Sequence, residues 1–292
     1  MIEVRNNIPL IELHVSGKAF KKSSSSLPSA INILQGYEES FQFCLNQAAR
    51  KFSTTQLPHI DTAIALTATE SGTLTVQTIV EALPAVVPIL PGLVYYAWDL
   101  YGKVQELIKI ASMFFNKHGS PIKMHIENSP GASPTIIISQ DHSSVVVTPD
   151  ILHAARATHK ALNMISREVA DDNADSILIG TPYNMAPIEI NKENHHLYAM
   201  PVKTFTEDDP IKIDCSLYSL NIHSMNGRLE LFDKEEIRYI PFTIKDGNVS
   251  DYIAGLDAEK TTVFALREMQ TNALGEKTIK KLHLIGIEIP SN

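Results

Sequence analysis

The chain has 292 residues, 44% of them hydrophobic and 20% charged, with a formal net charge of −8. That length allows two domains with sizeable cores, and the composition excludes a chain too polar to fold. The charge argues against affinity built on phosphate contacts: residues 207–292 carry 15 acidic and 10 basic side chains, a balance of −5, and the remainder carries −3.

Residues 1–7 lack the charged-then-apolar build of a secretory signal, so a cytoplasmic location is expected. The two cysteines, Cys44 and Cys215, lie too far apart in sequence for a zinc motif and read as reduced core residues. Residues 10–15 form a first strand. The next stretch holds Lys18, Lys21, Lys22 and the serine run 23–26, which reads as a loop or hairpin tip. Ser29 is placed to cap a helix running to Phe52, with Ile33, Leu34, Tyr37, Phe41, Leu45, Ala48 and Phe52 at helical spacing. Residues 60–80 alternate about Ser71-Gly72 as a β-hairpin.

Residues 83–98 are almost wholly apolar, but Pro84, Pro88 and Pro91 prevent a regular helix there. From Gly92 a helix can form, with Val94, Trp98, Tyr101, Val104, Ile108, Ala111 and Phe115 along a stripe that ends at Gly119 and Pro121. A spanning helix needs about 20 apolar residues, and Asp99 with the prolines interrupts this segment first. Tyr95, Tyr96, Trp98 and Tyr101 fall on several faces of the turn, which marks them as a candidate interface for a second copy in a homodimer.

Residues 121–126 form a strand, and 135–138 with 145–147 a hairpin. Thr148-Pro149-Asp150 opens a helix that reaches Ala170, and 176–179 is another strand. Residues 180–210 carry four prolines and read as irregular, with a domain boundary near 206–210 that divides the chain into 1–206 and 207–292. Beyond it, Ile211, Ile213, Cys215 and Leu217 alternate, and Asn226-Gly227 reads as a hairpin turn before 228–232. Segments 236–244, 262–268 and 280–289 complete five strands, with a short helix near 251–256. The expected fold class is α+β: an N-terminal body of hairpins and three main helices, then a small five-stranded β-barrel.

No Gly-x-Gly-x-x-Gly, phosphate-binding loop, Gly-x-Ser-x-Gly or His-Glu-x-x-His occurs. Four weaker constellations remain. His153 and His159, with Arg156 and Lys160, share one helix, but a six-residue step does not put two imidazoles on one face. Asp171, Asp172 and Asp175 are an oxygen-rich turn of the kind that can hold magnesium or calcium, though solvated carboxylates are the simpler reading. His195-His196 lies in a polar loop with no nameable carboxylate partner for acid–base work. Lys18, Lys21 and Lys22 with the serines are a candidate phosphate contact. None of these assigns a catalytic residue, a metal or a cofactor.

The order of elements resembles a family of poorly characterised prokaryotic and mobile-element proteins of unknown function, in which an α/β part precedes a five-stranded barrel. The resemblance rests on the segment 34–40, the hairpin turn, the apolar run into 98–115, and the barrel segments around 219–221, 227–231 and Arg267-Glu268. Ser71-Gly72-Thr73 departs from the Gly-Ser-Phe-like turn of that family. The resemblance implies no activity and carries over no functional residue; it implies a setting of phage–host conflict. The reading expected from the residues is a non-enzymatic interaction protein acting on a protein partner or a second copy. An accessory nucleic-acid binder would need Arg228, Arg238, Tyr239, Phe242 and Arg267 to converge on the barrel, against its charge. A membrane-acting effector would use 83–98, and an enzyme the His195–His196 loop. Nucleic acid and membrane rank below a protein partner.

Overall fold

A computed structural model describes residues 6–17, 27–52, 61–70, 73–82, 89–127, 135–140, 143–180, 185–232 and 237–289. It divides into two compact units, Met1–Pro201 and Val202–Asn292. The class is α+β, with a closed five-stranded barrel in the second unit.

In the first unit, β1 (Asn6–Ser16), β2 (Asp61–Glu70), β3 (Thr73–Ala82), β7 (Ser176–Gly180) and β8 (Ile188–Asn191) form one antiparallel sheet in the order β2-β3-β1-β7-β8. A second sheet joins β4 (Lys123–Glu127), β5 (Thr135–Gln140) and β6 (Ser143–Val147). Three long helices pack on one another: α1 (Leu27–Phe52), α2 (Leu90–His118) and α3 (Pro149–Ala170). α1 and α3 cross closely at Gly36, where an added Cβ would lie 2.6 Å from the Ala161 carbonyl oxygen. A buried carboxylate ties the same pair: Glu168 of α3 accepts from the Asn32 and Asn173 amides at 2.7 and 2.8 Å.

Helix boundaries differ from expectation at both caps. α1 begins at Leu27, so Ser29 sits inside the first turn and is buried, while Pro28 occupies a first-turn position where its missing N–H costs nothing. Thr148 has the extended backbone of an N-cap, but its hydroxyl makes no capping hydrogen bond. Pro149 and Asp150 in the first turn start α3 instead, and Asp150 pairs with Lys51 of α1 at 2.6 Å. α2 ends as the sequence indicates: Gly119 takes φ 62° and its N–H donates to the Phe115 carbonyl.

The span 180–210 is more regular than its prolines suggest. It contains β8, a 3-10 turn at His195–Leu197 and β9 (Val202–Thr206). β9 pairs with β13 (Thr261–Asn272), which places Val202 onward with the barrel.

In the second unit, β10 (Ile211–Asn221), β11 (Asn226–Phe232), β12 (Ile237–Ile244), β13 and β14 (Lys277–Glu288) run in the order β10-β11-β12-β14-β13, closed by β13 against β10. β12 and β14 are parallel, and α4 (Val249–Leu256) lies between the third and fourth barrel strands in sequence. This is a small closed barrel, an architecture shared by several functions. Inward positions fill it: Cys215, Leu217, Leu229, Ile240, Phe242, Val263, Ala265, Leu282 and Leu284.

The β10–β11 turn is not centred on Asn226-Gly227. Asn221 pairs with Asn226 across the four residues between them, the Asn221 side-chain oxygen accepts from the His223 and Ser224 N–H groups, and Met225 takes φ 53°. Gly227 instead lies in β11, where any Cβ would collide with the Ser219 carbonyl and the Phe242 ring. The glycine serves close packing inside the barrel.

Candidate functional site

The outer face of β10, β11 and β12 carries a pair of exposed aromatic side chains in contact. β10 has a bulge between Leu217 and Ser219: Leu217 pairs with Leu229 and Ser219 with Arg228, so Tyr218 is the extra residue. Leu217 and Leu229 point inward, and Tyr218 is thrown outward with 64% of its surface exposed. Tyr239 of β12, opposite Glu230, stands on the same face and is 51% exposed. The two rings meet across β11 with centroids 5.1 Å apart and planes tilted by 60°. Arg228, in register with Pro241, borders this pair.

The face continues as a polar network. Asn226 accepts from Thr243 of β12 and from Lys281 of β14. On β13, Glu268 accepts from Lys280 at 2.9 Å and lies 3.1 Å from His283 Nε2. The Lys280 hydrogen bond, opposed by partial burial, holds the Glu268 carboxyl below the usual range. His283 Nδ1 is buried without a hydrogen-bond partner.

Of the five residues that the sequence offers as a nucleic-acid face, the structure puts Arg228 and Tyr239 on the same outer face of neighbouring strands. Arg238 is exposed beside Tyr239 in β12. Phe242 is not on the surface: it has no exposure and belongs to the barrel core, because its position in β12 has the inward parity of Ile240 and Ile244. Arg267 is half-buried and paired with Glu207, in register with the inward Leu282. Sequence reasoning missed Tyr218, whose outward position depends on the bulge. The only signal for it is an aromatic residue among polar neighbours late in a strand.

The aromatic cluster of α2 needs a larger correction. Trp98 is 4% exposed and Tyr101 is fully buried. Tyr101 packs edge-on against Phe41 and meets the Ser40 hydroxyl at 3.2 Å, and Trp98 lies 6.0 Å from it. Burial raises the Tyr101 pKa. These rings are core because α2 is flanked by both α1 and α3, so more than one of its faces is covered. Tyr96 is half-buried under the Lys51 ammonium, and Tyr95 alone stays well exposed, at 62%.

The other candidates are accounted for by local contacts. His153 packs on Phe43, and His159 Nδ1 lies 2.8 Å from the Arg156 carbonyl. Lys192 bridges Asp172 and Asp175, and Arg167 pairs with Asp171. His195 and His196 stand edge to face on the 3-10 turn. No group of three metal-ligating side chains occurs among the described residues. Both cysteines are free and buried, and burial pushes the Cys44 thiol up to about 12, away from nucleophilic use. No helix among the described residues is long and apolar enough to cross a membrane. The lysine–serine segment 18–26 and the apolar residues 83–88 lie outside the described residues. No family model, no curated protein and no solved structure matches the chain.

Proposed function

We propose that the chain is a non-enzymatic interaction protein whose barrel contacts a protein partner through the outer face centred on Tyr218 and Tyr239. The observation that carries this reading is a pair of tyrosine rings held 5.1 Å apart while more than half exposed. Such rings offer large contact area for little loss of side-chain entropy, and tyrosine and arginine are enriched at interface centres. The acidic balance of residues 207–292 favours a neutral or basic protein surface over a polyanion. The test is a binding measurement with the purified, identified partner. Tyr218→Ala with Tyr239→Ala is expected to weaken it about tenfold or more, as loss of an aromatic hot spot does. An unchanged affinity refutes the reading.

A second reading rests on the barrel topology. Barrels of this order bind oligonucleotides across the face of their second and third strands, where Arg228 and Tyr239 lie. Fluorescence anisotropy with labelled single-stranded DNA and RNA separates the two readings. The protein-partner reading expects no complex tighter than about 10 micromolar near physiological salt. A submicromolar, strongly salt-dependent complex makes nucleic acid the partner.

A further inference from the structure

We infer that the partner segment taken by the Tyr218–Tyr239 face is a proline-rich stretch in the polyproline II conformation, flanked by a basic residue. This rests on the reading of that face as a protein contact and names the chemistry it selects.

Backbone geometry narrows the choice first. The two rings meet across β11, and β11 is paired with β10 on one side and β12 on the other. Its ladder groups are taken, so a ligand crossing here cannot join as a further strand and meets side chains only. The apolar part of the face is the two rings and Pro241, which is exposed two residues beyond Tyr239 on the same side of β12. That is fewer anchors than the apolar stripe of an amphipathic helix fills. Polyproline II segments dock on aromatic-lined surfaces, and they are stiff before binding, so little entropy is lost.

The hydrogen-bonding groups fit the same ligand. Proline has no N–H, so a proline-rich segment presents carbonyl acceptors that have no internal partner. The face presents donors. They are the hydroxyls of Tyr218 and Tyr239 and the guanidinium of Arg228, none of them bonded to another described residue.

Charge sets the flank. Glu230 is in register with Tyr239, shares the outward parity of Arg228, is half-buried and has no ion-pair partner among the described residues. Together with the −5 balance of residues 207–292, it favours a cationic side chain next to the prolines. An arginine there would pair with Glu230 and lie against a tyrosine ring. Arg228 stands one step along β11, opposite Pro241, so the prolines are expected over Tyr239 and Pro241 and the basic flank over Glu230.

The test uses the full chain with isotope-labelled tyrosine rings, read by NMR. The probe is a peptide of about nine prolines with an arginine at each end, a length that crosses three strands. One control carries alanine in place of the arginines, and another a glycine–serine run in place of the prolines. The arginine-ended proline peptide is expected to shift the Tyr218 and Tyr239 ring signals saturably, with a dissociation constant of about 1 mM or less. The glycine–serine control is expected to bind about tenfold more weakly, since it must be ordered on binding. Tyr239→Ala is expected to cost about tenfold or more. Glu230→Gln is expected to keep the proline binding and to remove the preference for arginine over alanine ends, a preference of about twofold or more. The inference is overturned if the proline peptide leaves both ring signals unmoved at about 1 mM, if the glycine–serine control binds as well, or if either variant behaves as the native chain. Crosslinking from position 239 in the native host separates the two failures. A protein adduct without proline binding overturns the ligand class and keeps the contact; the lack of any protein adduct overturns the contact itself.

Discussion

Phe242 and Tyr239 lie three residues apart on β12 and are assigned to opposite sides of the barrel wall, so the same truncation should cost very different amounts. Phe242 has no exposed surface, and its ring packs where any side chain on Gly227 would have to go. Phe242→Ala removes a fully buried ring and leaves a cavity among Leu229, Ile240, Leu282 and their neighbours. Such changes cost about 3–5 kcal/mol. Tyr239 is 51% exposed and loses mainly its ring contact with Tyr218, so Tyr239→Ala should cost about 1 kcal/mol or less. For a unit of about 90 residues, Val202–Asn292, each kcal/mol moves the midpoint by about 4–8 °C. Phe242→Ala should therefore lower the melting temperature of this unit by at least about 12 °C, and Tyr239→Ala by at most about 8 °C. Thermal unfolding followed by far-ultraviolet circular dichroism, on residues 202–292 expressed alone, gives both values. Equal losses, or a greater loss at Tyr239, would refute the assignment of faces.

Gly227→Ala should destabilise the same unit by about 2 kcal/mol or more, because the methyl group meets the Ser219 carbonyl and the Phe242 ring; a loss below about 0.5 kcal/mol would show that the ring can move aside. In the first unit, Tyr101→Asp buries a charge in the helix core and should abolish cooperative melting, while Tyr95→Asp should shift stability by less than about 0.5 kcal/mol; tryptophan fluorescence of Trp98 follows both. Glu268 has a lowered pKa in the folded chain, so its contribution to stability is complete above the unfolded carboxylate range and is lost as pH falls through the lowered value. The stability difference between the native chain and Glu268→Gln should accordingly shrink as pH falls below about 5; a difference independent of pH contradicts the assignment.

The elements with strong periodicity are legible in the sequence. The stripes of α1, α2 and α3 and the alternation of the barrel strands follow from which side chains can be buried together. The errors have physical causes. β8 has four residues among prolines, and the β9 strand has one half-buried position among exposed ones, so neither shows a pattern. Asn226-Gly227 reads as a turn because the sequence cannot distinguish a glycine needed for φ from one needed for contact with Phe242. Trp98 and Tyr101 read as excess aromatics because a helix with neighbours on several sides buries more than one stripe. The outer barrel face is half legible: Tyr239 and Arg228 follow from strand parity, but Tyr218 needs the bulge.

The central claim is that the chain acts by contact through the Tyr218–Tyr239 face. A photo-crosslinking residue at position 239, compared with one at the more exposed position 95 of the first unit, tests it most directly in the native host. The account predicts a discrete protein adduct from position 239 that is absent from position 95 and disappears with Tyr218→Ala. Adducts of equal yield from both positions, or adducts from position 239 only to nucleic acid, would contradict it.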